Sequence, residues 1–154
     1  MTSSSPAGQA HPYLRAASAG LRHHHHALTR TGPVPAANRV HLDLVHAHLA
    51  ALLQLLNQLA ETTRPPHPAA GRHLATAHVR LWQATAATHD AFHLLPPAHE
   101  EIPEAGCHPE RLPEGPPVLT ICQRHLSCGH TLRRTTTPTD LHTPPHGHTT
   151  TCSQ

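Results

Sequence analysis

Lysine is missing from this sequence: all eleven basic residues are arginine. Aromatic residues are almost missing as well, with Tyr13, Trp82 and Phe92 one of each kind. A core must therefore be built from aliphatic side chains and alanine. That material suits helices better than sheets, which favour β-branched and aromatic residues. Charge is scarce at 13% of residues, and the formal net charge is only +2. So small an excess does not draw in nucleic acid or an acidic lipid surface, and the shortage of stacking rings argues against nucleic acid a second time. No apolar run approaches the roughly 20 residues needed to span a bilayer, so no membrane association is expected. Residues 1–10 lack a charged start followed by an apolar stretch, and they are not read as a signal peptide. The four cysteines, Cys107, Cys122, Cys128 and Cys152, all fall in the last third of the chain. Without a secretory signal they are expected to be reduced thiols in a cytoplasm, not a disulfide frame.

What is present is proline, histidine, alanine and leucine. The length of 154 residues suits one domain with a core, and 17 prolines cut the chain into segments. The first runs from about 12 to 30, where Leu14, Ala17, Leu21 and Leu28 recur at helical spacing, Pro12 suits the first helical position and Gly32-Pro33 closes the segment. The second, about 35–63, carries Leu42, Val45, Leu49, Leu52, Leu56 and Leu59 three and four apart, a seam for a packed helix. Leu44, Leu53 and Leu55 widen that stripe, so contact from more than one side is expected. The third, about 68–95, aligns Leu74, Leu81, Thr88 and Leu95, with a second stripe through Val79, Trp82 and Ala86. A fourth, about 117–134, places Val118, Ile121, Cys122, His125, Cys128 and Leu132 on its inner face.

These patterns predict an all-α fold, a three- to four-helix antiparallel bundle over residues 11–134 with disordered N- and C-terminal tails, 1–10 and 135–154. The short proline turn between the second and third segments predicts a helical hairpin. Residues 98–116, rich in proline and carrying Glu100, Glu101, Glu104, Glu110 and Glu114, read as an irregular solvated connection. The Thr-, Pro- and His-rich stretch from Thr135 reads as a tail that does not pack.

Several stretches carry a family resemblance: His11-Pro12-Tyr13-Leu14-Arg15-Ala16-Ala17, then Arg111-Leu112-Pro113-Glu114-Gly115-Pro116-Pro117 leading into Leu119-Thr120-Ile121-Cys122-Gln123-Arg124-His125-Leu126, and Arg133-Arg134-Thr135-Thr136-Thr137-Pro138-Thr139-Asp140-Leu141. Over most of residues 11–142 the sequence resembles a family of short streptomycete proteins of unknown function. The resemblance implies an actinobacterial cytoplasmic setting, agrees with the arginine-for-lysine bias of a high-GC genome, and implies no activity.

For chemistry, the residue types point first to Cys122-x-x-His125-x-x-Cys128-x-His130, with Cys107-His108 upstream and either Cys128 or His130 able to complete the set. Thiolate and imidazole are the natural ligands of structural Zn²⁺, which takes four in a tetrahedron. Cys122 and His125, three apart on a helix, can face one ion, and Cys107 can arrive from the connection. Zinc is the only cofactor these residues suggest. The competing account makes Cys122 and Cys128 small core hydrophobes and His125 a partly buried histidine. The pairs His89/His93 and His41/His48 have helical spacing too, but they lie off the leucine lines and are expected to face solvent. The run His23-His24-His25-His26 fans around its helix, and His146-Gly147-His148, with His142 and Cys152 nearby, could chelate Ni²⁺ or Cu²⁺ weakly. No nucleophile elbow and no phosphate loop is present, so no enzyme is expected. The leading reading is a cytoplasmic, non-enzymatic helical module acting through a protein partner or as a homodimer. Zinc binding through Cys107, Cys122, His125 and Cys128 is the alternative, and a pH-responsive surface drawn from the 20 histidines is a third.

Overall fold

The computed structural model describes residues 10–30, 32–97 and 119–142. Among them every regular element is helical, as aliphatic and alanine-rich segments between prolines require. The chain divides into two units, Met1–Ala37 and Asn38–Gln154. The first holds α1, Pro12–Arg30. His11, before Pro12, takes a φ of 57°, in the left-handed region that residues other than glycine seldom occupy. Near the end of α1 the Thr29 hydroxyl donates to the His26 carbonyl at 3.0 Å, and Gly32 follows at φ 117°.

Among its described residues the second unit holds four helices: α2, Arg39–Thr63; α3, Pro68–Leu94; α4, Ile121–Thr135; and the single turn α5, Pro138–Leu141. Their ends follow from local chemistry. α2 starts at Arg39, not Pro35, because the Asn38 side chain accepts the His41 N–H at 2.8 Å and caps the helix. α3 stops at Leu94 because Leu95, extended, precedes Pro96. α4 starts at Ile121, not near 117, under a capping box in which Thr120 and Gln123 satisfy each other's backbone N–H groups.

α2 and α3 form the expected hairpin, and α4 lies against both. Gly71 sits where the turn folds over the first turn of α3: a Cβ there would lie 2.5 Å from the Arg64 Cα. The core is small and aliphatic, with Ala50, Leu53 and Ala60 from α2, Ala75 and Val79 from α3, and Ile121 and Cys128 from α4. The buried line of α2 therefore runs His46, Ala50, Leu53 and Ala60, one residue over from the expected leucine seam, and Leu52 and Leu59 stay exposed. On α3 it runs through Gly71, Ala75, His78, Val79 and Thr85, close to the second stripe, because α4 covers that side. Trp82 packs against the Ala50/Leu53/Cys128 cluster, and its ring would lie 3.0 Å from a Cβ at Gly129.

The stretch expected to be a tail from Thr135 onward is structured as far as residue 142. Asp140 is 1% exposed. Its carboxylate accepts from Arg64 at 2.9 Å and from the Thr137 backbone N–H and hydroxyl, while the Thr76 hydroxyl donates to its carbonyl. Burial works to raise the Asp140 pKa, and the Thr137 and Arg64 donors outweigh it, so the carboxyl is held below its ordinary range. Residues 143–154, the first nine residues and the connection at 98–118 lie outside the described residues, and with them the tail and loop expectations there.

Candidate metal centre

α3 carries His89 and His93 four apart, one helical turn, so their rings stand on the same side. α4 brings Cys122 to them in its first turn, beside the positive end of the helix dipole, where negative charge is favoured. Two arginines fasten this end of the bundle. Arg124 donates to the Leu119 carbonyl and to the carboxylate and carbonyl of Asp43, tying the start of α4 to α2. Arg39 donates to the Leu95 carbonyl at 2.8 Å and lies over the Phe92 ring, tying α2 to the end of α3.

The three side chains converge through their donor atoms. His93 Nε2 lies 3.2 Å from His89 Nε2, and Cys122 Sγ lies 3.3 Å from His93 Nε2 and 3.5 Å from His89 Nε2. A tetrahedral Zn²⁺ with ordinary bond lengths separates two nitrogen ligands by about 3.3 Å and a sulfur from a nitrogen by about 3.6 Å. The observed triangle has nearly those dimensions. Asp90 Oδ1 stands 3.4 Å from His89 Nδ1, the carboxylate–imidazole arrangement that fixes which ring nitrogen is free to ligate.

Behind the triangle lies a stack of rings. His125 is parallel to His89, with centroids 4.2 Å apart and 11° between planes, and its other side lies against Trp82 at 4.6 Å and 16°. His46, from α2, meets both imidazoles at a tilt, 6.2 Å from His89 and 5.9 Å from His125. It is fully buried, and neither of its ring nitrogens has a hydrogen-bond partner; His125 Nδ1 has none either. Burial, helped by the charges of Arg124, His125 and His89 and opposed by Asp43, pulls the His46 pKa down to about 4. His125 is lowered by burial and then by His89, against Asp90. Both are neutral imidazoles at neutral pH.

The expected ligand set Cys107, Cys122, His125 and Cys128 is not what these helices assemble. Cys107 lies outside the described residues. Cys128 is six residues along α4 from Cys122, about 9 Å of helix rise, and packs in the core with Ala50 and Leu53. Burial pushes its thiol pKa up, against the pull of Arg124. His125 is the ring that braces His89, and only Cys122 joins a donor cluster, with His89 and His93. The leucine line of α3, read as its buried face, predicts that those two histidines face solvent. The spacing His78, Trp82, Thr85, His89, four, three and four, marks the face that α4 covers, and it was readable. His48 is exposed; His146, His148 and Cys152 lie outside the described residues.

The chain belongs to a family of unknown function, DUF6238, which it matches over residues 1–151. No curated protein and no solved structure matches it. Among the described residues no helix is long and apolar enough to cross a membrane.

Proposed function

We propose that this member of a family without an assigned activity binds a divalent transition-metal ion through His89 Nε2, His93 Nε2 and Cys122 Sγ. The observation that carries the reading is the donor triangle, whose sides match the ligand separations of a tetrahedral zinc ion. Two imidazoles and one thiolate suit Zn²⁺ and its soft or borderline neighbours. A role in binding, without catalysis, fits the surroundings. The clefts described in this unit open elsewhere, one beside Arg64 and His78 and one beside Gln54 and Ser127. A reducing actinobacterial cytoplasm, in keeping with the composition, would keep Cys122 free to ligate.

Histidine is so abundant that metal uptake alone decides nothing, and the test must read the sulfur. Full-length protein purified without an affinity tag is titrated with Co²⁺, and the thiolate-to-cobalt charge-transfer band is followed. One equivalent of ion, with a band lost in Cys122→Ser and weakened in His93→Ala, is the expected result. Cobalt uptake without that band refutes the reading.

A second reading, a module that acts through protein contact or self-association, is favoured by the apolar edge of α2. Val40, Leu44, Leu52 and Leu59 lie on one side of that helix and are each at least 41% exposed, and exposed apolar stripes commonly mark interfaces. Light scattering coupled to gel filtration tests self-association. A strict monomer at every concentration removes it.

A further inference from the structure

Among the described residues three donors leave one vertex of a tetrahedron to be filled, and the neighbouring side chains there are otherwise engaged. A ligating imidazole must hold the ion close to its own ring plane. His125, parallel to His89 at 4.2 Å, cannot do so while His89 does. His46 is fully buried behind that stack, Asp90 faces the other nitrogen of His89, and Cys128 is in the core. The set that converges among the described residues is His89, His93 and Cys122 alone. Because His93 and Cys122 are exposed, the fourth direction points away from the bundle.

Charge and softness then say what suits that direction. A divalent ion with one thiolate and two neutral imidazoles keeps a net positive charge, so an anion is favoured in the fourth position. An ion selected by sulfur and imidazole takes a second sulfur in preference to an oxygen ligand. Resting on the metal reading above, we propose that the ion held by His89, His93 and Cys122 takes the thiolate of a low-molecular-weight thiol as its fourth ligand. The protein then holds its metal as a mixed complex with a small thiol. In the exchange a metal–oxygen bond to coordinated water breaks and a metal–sulfur bond forms. The thiol proton passes to solvent, and no electron moves.

The experiment adds β-mercaptoethanol to the full-length protein carrying one equivalent of Co²⁺. The charge-transfer band is expected to grow to about twice its height, one sulfur becoming two, and to saturate at one thiol per protein. Chloride and imidazole at the same concentrations should leave the band unchanged, and Cys122→Ser should show neither the band nor the two-sulfur form. A Cys122-dependent band that the thiol does not alter overturns this proposal and leaves the metal reading standing. So does removal of the cobalt by the thiol. A two-sulfur band present before any thiol is added, and halved in Cys107→Ser, overturns it in favour of an internal ligand. Absence of any Cys122-dependent band overturns both.

Discussion

Replacing His46 by leucine should make the protein more stable and less sensitive to acid. Its imidazole is wholly buried, and both ring nitrogens lack partners; an unsatisfied buried polar group costs about 1–3 kcal/mol. The same burial, with Arg124, His125 and His89 adding to it and Asp43 opposing, lowers the folded-state pKa from 6.5 to about 4. As pH falls below 6.5 the unfolded chain takes up a proton that the folded chain refuses. Stability present at neutral pH is therefore lost progressively down to about pH 4 and levels off below it. The whole displacement corresponds to about 3 kcal/mol, of which about 2 kcal/mol falls between pH 7 and pH 5. His78 and His125, also lowered by burial, act in the same direction. Leucine has nearly the volume of histidine, so His46→Leu opens no cavity. The variant should gain about 1–3 kcal/mol at pH 7 and lose about 2 kcal/mol less than the parent on going to pH 5. Urea unfolding of chelator-treated protein at both pH values, followed by circular dichroism and Trp82 fluorescence, measures this. An unchanged acid loss refutes the account of the buried ring. So does a variant less stable at pH 7 by more than about 1 kcal/mol.

Three further outcomes follow from the packing. Gly71→Ala gains helix propensity but drives a Cβ to 2.5 Å from the Arg64 Cα; a net loss of about 1–3 kcal/mol is expected, and an unchanged melting temperature would show that the turn has room to yield. Asp140→Ala removes the acceptor of the Arg64 and Thr137 bonds and, with Arg64 partly open to solvent, should cost about 1–3 kcal/mol. A melt equal to the parent's would mean that α5 contributes nothing to the fold. His125→Ala takes away the ring that braces His89 and should weaken Co²⁺ binding by about tenfold or more with the charge-transfer band unchanged in position, and equal affinity would end the positioning role.

Helix identity was legible because proline and leucine announce it, whereas the choice of face was not. On α2 the leucines form the more conspicuous stripe, yet alanine at positions 50 and 60 allows the closer approach, so the buried line shifts by one residue and Leu52 and Leu59 remain outside. The same shift on α3 turned His89 inward and hid the site from a reading based on Leu74, Leu81 and Leu95. α5 went unseen for a different reason. Its composition is that of a tail, and the local signal Thr137-x-x-Asp140, a capping box beginning at Thr137, was outweighed by the threonine, proline and histidine around it. Cys122 stands out in the sequence as a residue type, but the two histidines beside it stand 29 and 33 positions away, a pairing that no spacing along one helix encodes.

Histidine enters this core beside the aliphatic and alanine side chains. With a single Trp and a single Phe in the sequence, imidazoles supply the other rings of the Trp82–His125–His89 stack. An imidazole packs like a small aromatic ring but brings two nitrogens, and where no partner is supplied, as at His46, the fold is weakened. Where α3 ends and α4 begins the surplus has another consequence. The Thr120 capping box and the Arg124 contacts to Asp43 set the first turn of α4 so that Cys122 meets the Nε2 atoms of His89 and His93. Abundance alone would scatter histidines over the surface. The convergence of two of them on one thiol, at the separations a metal ion imposes on its ligands, is what distinguishes His89 and His93 from the rest.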